Sequence, residues 1–272
     1  MSTRTWFVTG AGRGFGKEFA TAALGRGDRV AATARNTEAL ADLAAEYGDA
    51  LLPIALDVTD RDGVFAAVAQ TKEKFGSIDV VVNNAGYGLF GAVEELTPEQ
   101  LQAQLDVNLF GPLHVTQAAL PILRQQGSGH IIQISTVGGV AAFPILGGYH
   151  ASKWGLEGLT ESLAQEVAGF GVKVTLVEPA GYATDWGGAS AKWAEAKPEY
   201  QEIKEAVFAT GGGLQNDPAG VGPAILAVVD AKEAPSRVFF GTQGIQLLEP
   251  LYAQRLQTWR DTQDISALAE GK

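Results

Sequence analysis

The chain has 272 residues, with 31 acidic and 20 basic side chains and a formal net charge of −11. This excess of negative charge argues against nucleic acid or an anionic membrane surface as a partner. The absence of cysteine excludes disulfides, thiolate catalysis and cysteine-ligated zinc. The three histidines show no metal-ligand spacing, so no metal is predicted. No apolar run approaches the ~20 residues of a membrane span, and no signal-peptide pattern opens the chain, which predicts a soluble, cytoplasmic protein.

A short apolar strand, residues 6–8, leads into a glycine-rich loop, residues 9–16, and then a helix predicted over residues 17–24. Glycines between a strand and a helix let the backbone approach a phosphate, and the helix N-terminus supplies N–H groups. Gly10, Gly14 and Gly16 follow the pattern T-G-x-x-x-G-x-G rather than G-x-G-x-x-G. The loop predicts a phosphate-binding turn; the alternative is a glycine-rich turn without a ligand.

A second strand, residues 30–34, ends where a dinucleotide fold meets the adenosine ribose. An acidic residue there would hydrogen-bond the 2′-hydroxyl and repel a 2′-phosphate, but the strand ends in Ala34 followed by Arg35. A guanidinium can pair with a phosphate through two hydrogen bonds, and Arg13 in the glycine loop is expected to reach the same group. These residues predict NADP(H) in preference to NAD(H); the alternative is that both arginines are solvated surface charges.

Two further predicted strands end in polar residues. Residues 51–56 are followed by Asp57 and Val58, which are expected to contact the adenine amino group and ring; the alternative for Asp57 is helix capping. A helix then runs to about residue 75. The fourth strand, residues 79–82, ends in Asn-Asn-Ala-Gly at positions 83–86. A polar pair followed by glycine suits a ligand crevice at the carboxyl ends of the strands.

A long helix predicted over residues 97–124 contains Asn108 shortly before Gly111 and Pro112, which predicts a kink. Asn108 is expected to hold a water through its amide or its freed backbone carbonyl. The alternative is a side chain that hydrogen-bonds within the kink. The fifth strand, residues 130–134, leads into two hydroxyl residues, Ser135 and Thr136.

The helix predicted over residues 149–168 begins with Tyr149 and carries Lys153 one turn later. That spacing stacks the two side chains on one helix face, roughly 5–6 Å apart at Cβ. A lysine beside a tyrosine favours the phenolate and is expected to lower the tyrosine pKa from about 10. Such a tyrosine exchanges a proton near neutral pH, which carbonyl–alcohol interconversion requires. The alternative is an exposed pair on an ordinary amphipathic helix.

The sixth strand, residues 172–177, precedes a glycine-flanked aromatic segment, residues 185–215, which we call the cover segment and predict to be a movable helical lid. The alternative is a peripheral helical hairpin that never moves. A helix over residues 217–230 and a strand over 237–240 follow. A final helix over 247–256 lies in the C-terminal region 245–272, with residues beyond 264 expected to be frayed.

Strands and helices alternate without a linker, which predicts an α/β fold: a Rossmann-type doubly wound parallel sheet in a single domain, residues 1–272.

Five features resemble the main branch of the short-chain dehydrogenase/reductase family, in its order and at its distances. They are Thr9-Gly10-x-x-x-Gly14-x-Gly16, Asp57, the tetrapeptide at 83–86, Asn108 and Tyr149-x-x-x-Lys153. The resemblance spans residues 5–240. It implies that Tyr149 is the general acid or base, that Lys153 lowers its pKa and binds the nicotinamide ribose, and that Asn108 holds a water linking Lys153 to solvent. The residues implied to bind NADP(H) are Gly10, Gly12, Arg13, Gly14, Phe15, Gly16, Arg35, Asp57, Val58, Asn84, Ala85, Gly86, Tyr149, Lys153, Pro179, Gly181, Tyr182 and Thr184.

The chain departs from the family pattern at two positions. Thr136 stands thirteen residues before Tyr149, where the family usually has serine. Neighbouring strand residues face opposite ways, so both hydroxyls cannot point at the substrate unless the strand has already turned. Thr136 is favoured as the catalytic hydroxyl, because its hydroxyl has the same donor and acceptor capacity as that of serine, and Ser135 is the alternative. Ala180 follows Pro179 where glycine is common, and it would be strained if that residue needs a positive φ.

The expected substrate pocket is apolar and aromatic. Besides Thr136 and Tyr149, its predicted lining is Tyr87, Phe90, Phe143, Trp186 and Trp193. It predicts a hydrophobic ketone or aldehyde interconverted with an alcohol, the reaction of a carbonyl reductase or alcohol dehydrogenase. The alternatives are a non-redox epimerase or lyase, and a catalytically silent NADP(H)-sensing regulator. By resemblance, apolar stripes on helices 97–125 and 149–168 predict a homodimer or homotetramer.

Overall fold

The computed structural model describes residues 3–188, 190–211 and 216–271. In chain order, the strands are β1 (Thr5–Val8), β2 (Arg29–Ala34), β3 (Leu51–Ala55), β4 (Val80–Asn83), β5 (Leu89–Phe90), β6 (Gly129–Ile134), β7 (Val172–Pro179), β8 (Lys192–Trp193) and β9 (Arg237–Phe240). The helices are α1 (Gly14–Gly25), α2 (Ala41–Tyr47), α3 (Arg61–Phe75), α4 (Pro98–Leu105), α5 (Gly111–Gln126), α6 (Gly147–Val167), α7 (Gln201–Gly211), α8 (Val221–Asp230), α9 (Gln243–Asp261) and α10 (Gln263–Ala269).

Seven of these strands form one sheet in the order β3-β2-β1-β4-β6-β7-β9, and every pairing in it is parallel. The order reverses between β1 and β4, because the chain builds outward to one edge before it crosses to the other. In open parallel sheets, ligands bind at the carboxyl ends of the strands beside such a reversal. The predicted Rossmann-type doubly wound fold is confirmed, and its crevice lies at the ends of β1 and β4.

Helices cover both faces of the sheet, because successive side chains of each strand enter different cores. In β1, Trp6 and Val8 pack in one core with Phe19 of α1. Phe7 packs in the second core with Val64 of α3. Burial on both faces explains why the strands read as continuous apolar runs rather than as alternating patterns.

One edge of the sheet carries a proline. Strand β3 pairs on one side only, with β2, and Pro53 lies opposite Ala32 in that register. Proline has no backbone N–H to donate, which confines it within sheets to edge strands, strand starts and bulges. Its presence in the middle of β3 agrees with the edge position of this strand.

Three helical regions differ from the sequence expectations. Helix α1 begins at Gly14 rather than at residue 17, so its N-terminus lies inside the glycine loop. The predicted kink before Gly111 is a π-helical turn, Asp106–Phe110, that joins α4 to α5. The prediction of a frayed tail beyond residue 264 is wrong, since α9 extends to Asp261 and α10 follows directly.

The C-terminal region is anchored through α9. The Tyr252 hydroxyl and the Arg255 guanidinium both donate to the carbonyl oxygen of Val140, at 3.2 and 3.0 Å. The Arg255 guanidinium also lies over the ring of Trp154, 4.9 Å from its centroid. These contacts hold α9 against the loop after β6 and against α6.

The cover segment contains a strand that the sequence did not predict. Strand β8 pairs in parallel with β5 to form a separate two-stranded sheet, and α7 follows. Positions 189 and 212–215 of the cover segment lie outside the described residues. Among the described helices, none combines the length and apolar character needed to cross a bilayer.

Candidate active site

The glycine loop after β1 packs directly on the chain that follows β4. Gly10 has a φ of +67°, and a Cβ there would lie 2.9 Å from the Cα of Ala85. A Cβ at Gly16 would lie 2.6 Å from Nδ2 of Asn84. The Asn84 amide donates to the carbonyl oxygens of Thr9 and Gly10, at 3.0 and 3.2 Å. Close packing therefore requires two of these glycines independently of any ligand.

The N-terminus of α1 lies at the carboxyl end of β1. Gly14, its first residue, has a φ of +53°, and a Cβ there would have no neighbour within 4 Å. Arg13 occupies the N-cap position without a side-chain capping hydrogen bond. A helix N-terminus of this kind binds phosphate through its N–H groups and its dipole. The open space and the uncapped N-terminus fit the pyrophosphate of a dinucleotide.

Gly12 brings two arginines to one edge of the crevice. A Cβ at Gly12 would lie 3.4 Å from the Cβ of Ala34, so Arg13 and Arg35 each follow directly after one of two residues that lie side by side. Both arginines are exposed. Within the described part of the chain, neither forms an ion pair. Two guanidinium groups at this place fit a phosphate on the adenosine ribose.

Asp57 and Val58 differ in their access to the crevice. Asp57 is exposed, and its Oδ1 accepts from the backbone N and the hydroxyl of Thr59, at 3.0 and 2.8 Å. The residue that caps α3 is Asp60, so the capping alternative does not hold for Asp57. Val58 is buried against α5, where a Cβ on Gly111 would come within 2.7 Å of it. Asp57 is therefore exposed and Val58 is buried, and their contacts with an adenine stay predictions.

The π-helical turn buries Asn108 and directs its amide toward the chain after β4. Asn108 Oδ1 accepts from the backbone N of Tyr87 at 3.1 Å, and Nδ2 donates to the Tyr87 carbonyl at 3.0 Å and the Ser152 hydroxyl at 3.1 Å. The amide is thus engaged by protein groups, and the water expected at Asn108 stays a prediction. Sequence reasoning missed Gln104, which donates to the same Tyr87 carbonyl and accepts from the N of Leu89. Its spacing of four residues from Asn108 is the signal that places both on one helix face.

The Thr136 side chain lies beside the Tyr149 hydroxyl and acts to lower its pKa. Thr136 Oγ1 donates to the carbonyl oxygen of Pro179 at 3.4 Å. Thr136 Oγ1 also accepts from the backbone N of Gly138 at 3.2 Å. Ser135 Oγ is buried and has no hydrogen-bond partner within the described residues, and a Cβ on Gly139 would collide with it. The structure therefore brings Thr136, and not Ser135, to Tyr149.

Lys153 is buried beside Tyr149, but its ammonium is directed at the sheet. Its Nζ donates to the carbonyl oxygen of Ile134 at 2.7 Å. Burial lowers the pKa of Lys153 to about 8, opposed by the Glu157 carboxylate one turn later. Burial raises the pKa of Tyr149 above its usual value, and the Thr136 side chain acts in the opposite direction. Burial therefore sets the direction of the Tyr149 shift in this structure, where the ammonium is paired with a carbonyl oxygen, and the lowering of the Tyr149 pKa by Lys153 stays a prediction.

Beyond Lys153, three glutamates converge on one guanidinium. Arg237 of β9 pairs with Glu157 and Glu178 at 2.5 Å each, and with Glu161 at 2.6 Å. Glu157 and Glu178 are both buried. Burial raises the pKa of Glu178 to about 7, and the neighbouring Glu157 carboxylate acts in the same direction. The Arg237 guanidinium acts on the Glu178 pKa in the opposite direction.

An aromatic stack begins at Tyr149. Its ring lies 4.9 Å from that of Trp186 in the cover segment, and Trp186 lies 5.2 Å from Phe90. Phe90 in turn stacks on Trp193, with centroids 4.6 Å apart and planes at 18°. A Cβ on Gly88 would come within 2.7 Å of the Trp186 indole. Three of the predicted substrate residues, Phe90, Trp186 and Trp193, thus form one surface with the tyrosine.

The other two predicted wall residues lie outside this stack. Phe143 packs beside His150, with ring centroids 5.6 Å apart. Tyr87 is held through its backbone by Asn108, and burial raises the pKa of its hydroxyl. The predicted pocket therefore has its aromatic side in the cover segment and β5, with Phe143 carried by a separate loop.

The loop after β7 reaches the start of α1. Tyr182 meets Phe15 edge-on, with ring centroids 4.8 Å apart. The backbone N of Ala180 donates to the carbonyl of Phe240 at 2.9 Å. Among the described non-glycine residues, only Ile145 has a positive φ, so Ala180 carries no strain of that kind. The predicted cofactor residues Pro179, Gly181 and Thr184 lie in or beside the same loop.

A buried ion pair fastens the cover segment to the chain after β5. Lys204 Nζ lies 2.5 Å from Glu95 Oε1, with the side chains 11% and 0% exposed. Glu95 also accepts from the backbone N of Ala92 and Lys197, at 2.8 and 2.7 Å. Burial alone would raise the pKa of Glu95, but these hydrogen bonds and Lys204 hold it at about 2. An exposed pair, Lys197 with Glu94 at 2.8 Å, lies beside it.

A helix N-terminus without a side-chain cap at the strand reversal, together with a buried tyrosine and lysine one helical turn apart, indicates an oxidoreductase. The chain belongs to the short-chain dehydrogenase family, whose model matches residues 4–195. It is 43% identical over 249 residues to the oxidoreductase BOA17 of Botryotinia fuckeliana, covering 90% of this chain and 91% of that relative.

Solved structures agree with this placement. A short-chain dehydrogenase from Streptomyces avermitilis is 38% identical with a TM-score of 0.91, covering 97% of this chain and 98% of that one. A short-chain dehydrogenase from Burkholderia cenocepacia in complex with NADP is 26% identical with a TM-score of 0.76, covering 94% and 96%. Other solved members hold NADP or NADH, so the comparisons leave the choice of dinucleotide open.

Proposed function

We propose that the protein is an NADP(H)-dependent oxidoreductase that interconverts a hydrophobic ketone or aldehyde and the corresponding alcohol. The observation that carries the proposal is buried Tyr149 with the Thr136 hydroxyl beside it, near buried Lys153 and next to an aromatic stack. Two hydroxyl donors at one point can hold a carbonyl oxygen and stabilise the negative charge that develops on it.

Bound NADPH would supply the hydride that reaches the carbonyl carbon. The N-terminus of α1 would hold its pyrophosphate, and Arg13 and Arg35 its 2′-phosphate. Tyr149 donates its proton to the carbonyl oxygen, which becomes the alcohol hydroxyl, and a phenolate remains. Because burial keeps the Tyr149 phenol protonated at neutral pH, this residue is suited to act as the acid in the reducing direction. Thr136 donates to the same oxygen, and Lys153 stabilises the phenolate.

The proposed substrate class follows from the side chains around Tyr149. Trp186, Phe90 and Trp193 present aromatic faces. Such a surface favours an apolar group next to the carbonyl, since a charged group would lose hydration there without gaining a partner. Aryl ketones and other hydrophobic carbonyl compounds are therefore the expected substrates.

A carbonyl-compound panel run with NADPH and NADH in parallel tests the proposal. We expect NADPH-dependent reduction of aryl ketones, and Tyr149→Phe should lower kcat by roughly 10²–10⁴-fold with NADPH affinity little changed. Turnover of polar or phosphorylated compounds alone would contradict the substrate class. An enzyme that consumes no NADPH with any carbonyl compound would instead favour the epimerase or lyase alternative, and NADPH binding without any chemistry would favour the regulator.

We also propose a homodimer or homotetramer formed through α5 and α6. Phe110 and Phe170, which lie next to these helices, are each 40% exposed. Light scattering at micromolar protein tests this assembly, and a monomer mass would contradict it. A cytoplasmic location is proposed as well, and fractionation of the native cells would test it.

A further inference from the structure

One buried histidine is hydrogen-bonded to the loop between β6 and α6 at two points, which we call the His150 clamp. His150 Nδ1 lies 2.7 Å from the carbonyl oxygen of Gly138, and the backbone N of Phe143 donates to His150 Nε2 at 2.9 Å. His150 is 5% exposed and follows Tyr149 directly in the chain. The contacts described above give this imidazole no part in the chemistry.

The two hydrogen bonds fix the state of the imidazole. Phe143 can only donate through its N–H, so Nε2 must be the unprotonated acceptor. Nδ1 must then carry the hydrogen and donate it to Gly138, whose carbonyl can only accept. Burial lowers the pKa of His150, which keeps it in this neutral form. Protonation of Nε2 would put two donors face to face at Phe143.

The loop is built closely around this ring. A Cβ on Gly138 would lie 2.7 Å from His150 Cε1, so the backbone contacts the imidazole directly. At the far end of the loop, Ile145 has a φ of +61°. A β-branched residue in this conformation is strained, and such strain persists only where the surroundings enforce it. The Gly91 N–H donating to the Ile145 carbonyl at 2.8 Å is one such constraint, and the His150 clamp before it is another.

Other side chains hold the middle of the loop. Trp154 Nε1 donates to the carbonyls of Gly138 and Ala141, at 3.1 and 3.2 Å. Of the described side chains, His150 is the one whose hydrogen bonds span from Gly138 to Phe143. Gly138 itself donates to the Thr136 hydroxyl. The imidazole therefore connects the proposed catalytic hydroxyl at one end of the loop to the aromatic residue at the other.

We propose that His150 is a positioning residue for substrate recognition: it sets the distance between Phe143 and the Thr136–Tyr149 hydroxyl pair, and so the size of the group accepted beside the carbonyl. This inference rests on the proposed function. It goes beyond it by assigning a role to a residue that neither transfers a proton nor contacts the cofactor.

Three substitutions separate the two hydrogen bonds. In His150→Gln the amide lies near the former Nε2 and can still accept from Phe143. In His150→Asn the amide lies near the former Nδ1 and can donate to the Gly138 carbonyl oxygen only. His150→Phe removes both hydrogen bonds. The matched control is Trp154→Phe, which removes the hydrogen bonds of Trp154 Nε1 to the same loop.

The assay compares acetophenone with the bulkier 2-acetonaphthone, measuring kcat and KM for each with NADPH. We expect the ratio of the two KM values to change about tenfold in His150→Phe and His150→Asn, the size of one neutral hydrogen bond, with kcat within about twofold. In His150→Gln and in Trp154→Phe, the ratio of the two KM values should lie within about twofold of the wild-type ratio. An unchanged ratio in His150→Phe, or an equal change in Trp154→Phe, would overturn the proposal.

Hydrogen exchange at the Phe143 amide separates this inference from the proposed function. Exchange should be faster in His150→Phe and His150→Asn than in His150→Gln, with NADPH affinity the same in all. If the wild type reduces neither ketone, the proposed function fails while exchange still reports on the clamp. If exchange at Phe143 does not differ among the variants, the clamp is refuted even where ketones are reduced.

Discussion

Replacing Lys204 with methionine tests how the cover segment is held. Lys204 forms a 2.5 Å ion pair with Glu95, and both side chains are almost fully buried. Removing one partner of a buried pair costs ~3–5 kcal/mol, because the other charge is left uncompensated. Glu95 keeps two backbone donors, Ala92 and Lys197, so we expect the lower end of that range. About 3 kcal/mol corresponds to roughly a 10²-fold change in the opening equilibrium of the segment.

The matched control is Lys197→Met, which breaks the neighbouring pair with Glu94. Those side chains are 44% and 61% exposed. Exposed pairs contribute only ~0.2–1 kcal/mol, so the control should change opening by about fivefold at most. Both variants remove one ammonium from the same segment, so their net charges are equal.

Hydrogen exchange under native conditions measures the opening. The informative amides are Lys192 and Ala194, which donate to the carbonyls of Gly88 and Phe90 at 2.9 and 2.8 Å and join β8 to β5. We expect roughly 10²-fold faster exchange at both in Lys204→Met. Equal hydrogen-exchange rates in the Lys204 and Lys197 variants would refute the idea that burial decides how strongly each ion pair holds the cover segment.

Lowering the pH provides a second perturbation of the same pair. The pKa of Glu95 is about 2 in the folded protein, below its usual value of 4.5. Its contribution is therefore complete above about pH 4.5 and is lost as the pH falls toward 2. The difference in exchange rate between wild type and Lys204→Met should shrink over that interval.

Three other outcomes are expected. Because the pKa of Glu178 is raised to about 7, the protonated form is favoured by folding, and its stabilising effect is complete below about pH 4.5 and lost as the pH rises through 7. In urea denaturation, Glu178→Gln should then leave the free energy of unfolding nearly unchanged at about pH 5 and raise it at about pH 8. The same effect at both pH values would contradict the raised pKa. Thr136→Ala should lower kcat for ketone reduction by roughly 10²-fold, whereas Ser135→Ala should leave it within about threefold; the reverse order would exchange their roles. Arg35→Ser should raise the KM for NADPH about tenfold and leave the KM for NADH unchanged. Steady-state kinetics with each dinucleotide measure both values, and an unchanged KM for NADPH would contradict the expectation.

The sheet and the crevice could be predicted because their signals are local. Each apolar run is followed by the glycines, asparagines or hydroxyl residues that mark a strand end, as after Val8 and Asn83. Parallel strands with right-handed crossovers then leave few possible orders. The residues at the strand ends must meet at one edge of the sheet, and the structure places Thr9, Asn84 and Thr136 there.

The electrostatics of the tyrosine could not be predicted in the same way. Sequence spacing shows that Lys153 neighbours Tyr149, but it does not show how deeply both are buried. The sign of the pKa shift depends on that depth, since burial disfavours the phenolate and is the largest cause of the raised Tyr149 pKa. The carbonyl of Ile134 that receives the ammonium also comes from a distant strand, and no local pattern indicates it.

The pairing of β5 with β8 lacked a signal for a related reason. Each strand has two residues, and they lie about 100 positions apart, so neither period nor length identifies them. Phe90 and Trp193 were predicted as substrate residues from their chemistry alone. Their direct stacking is a tertiary contact that becomes visible once the cover segment is placed.

Pro53 has a consequence for how copies of this protein behave beside one another. An outermost strand presents unsatisfied amide and carbonyl groups, which can recruit a strand from another molecule into a growing aggregate. The pyrrolidine ring interrupts that row of donors midway along β3. Substituting Pro53 with valine would restore the missing amide hydrogen and create a continuous template, so concentrated solutions of the variant should become turbid sooner than those of the parent protein.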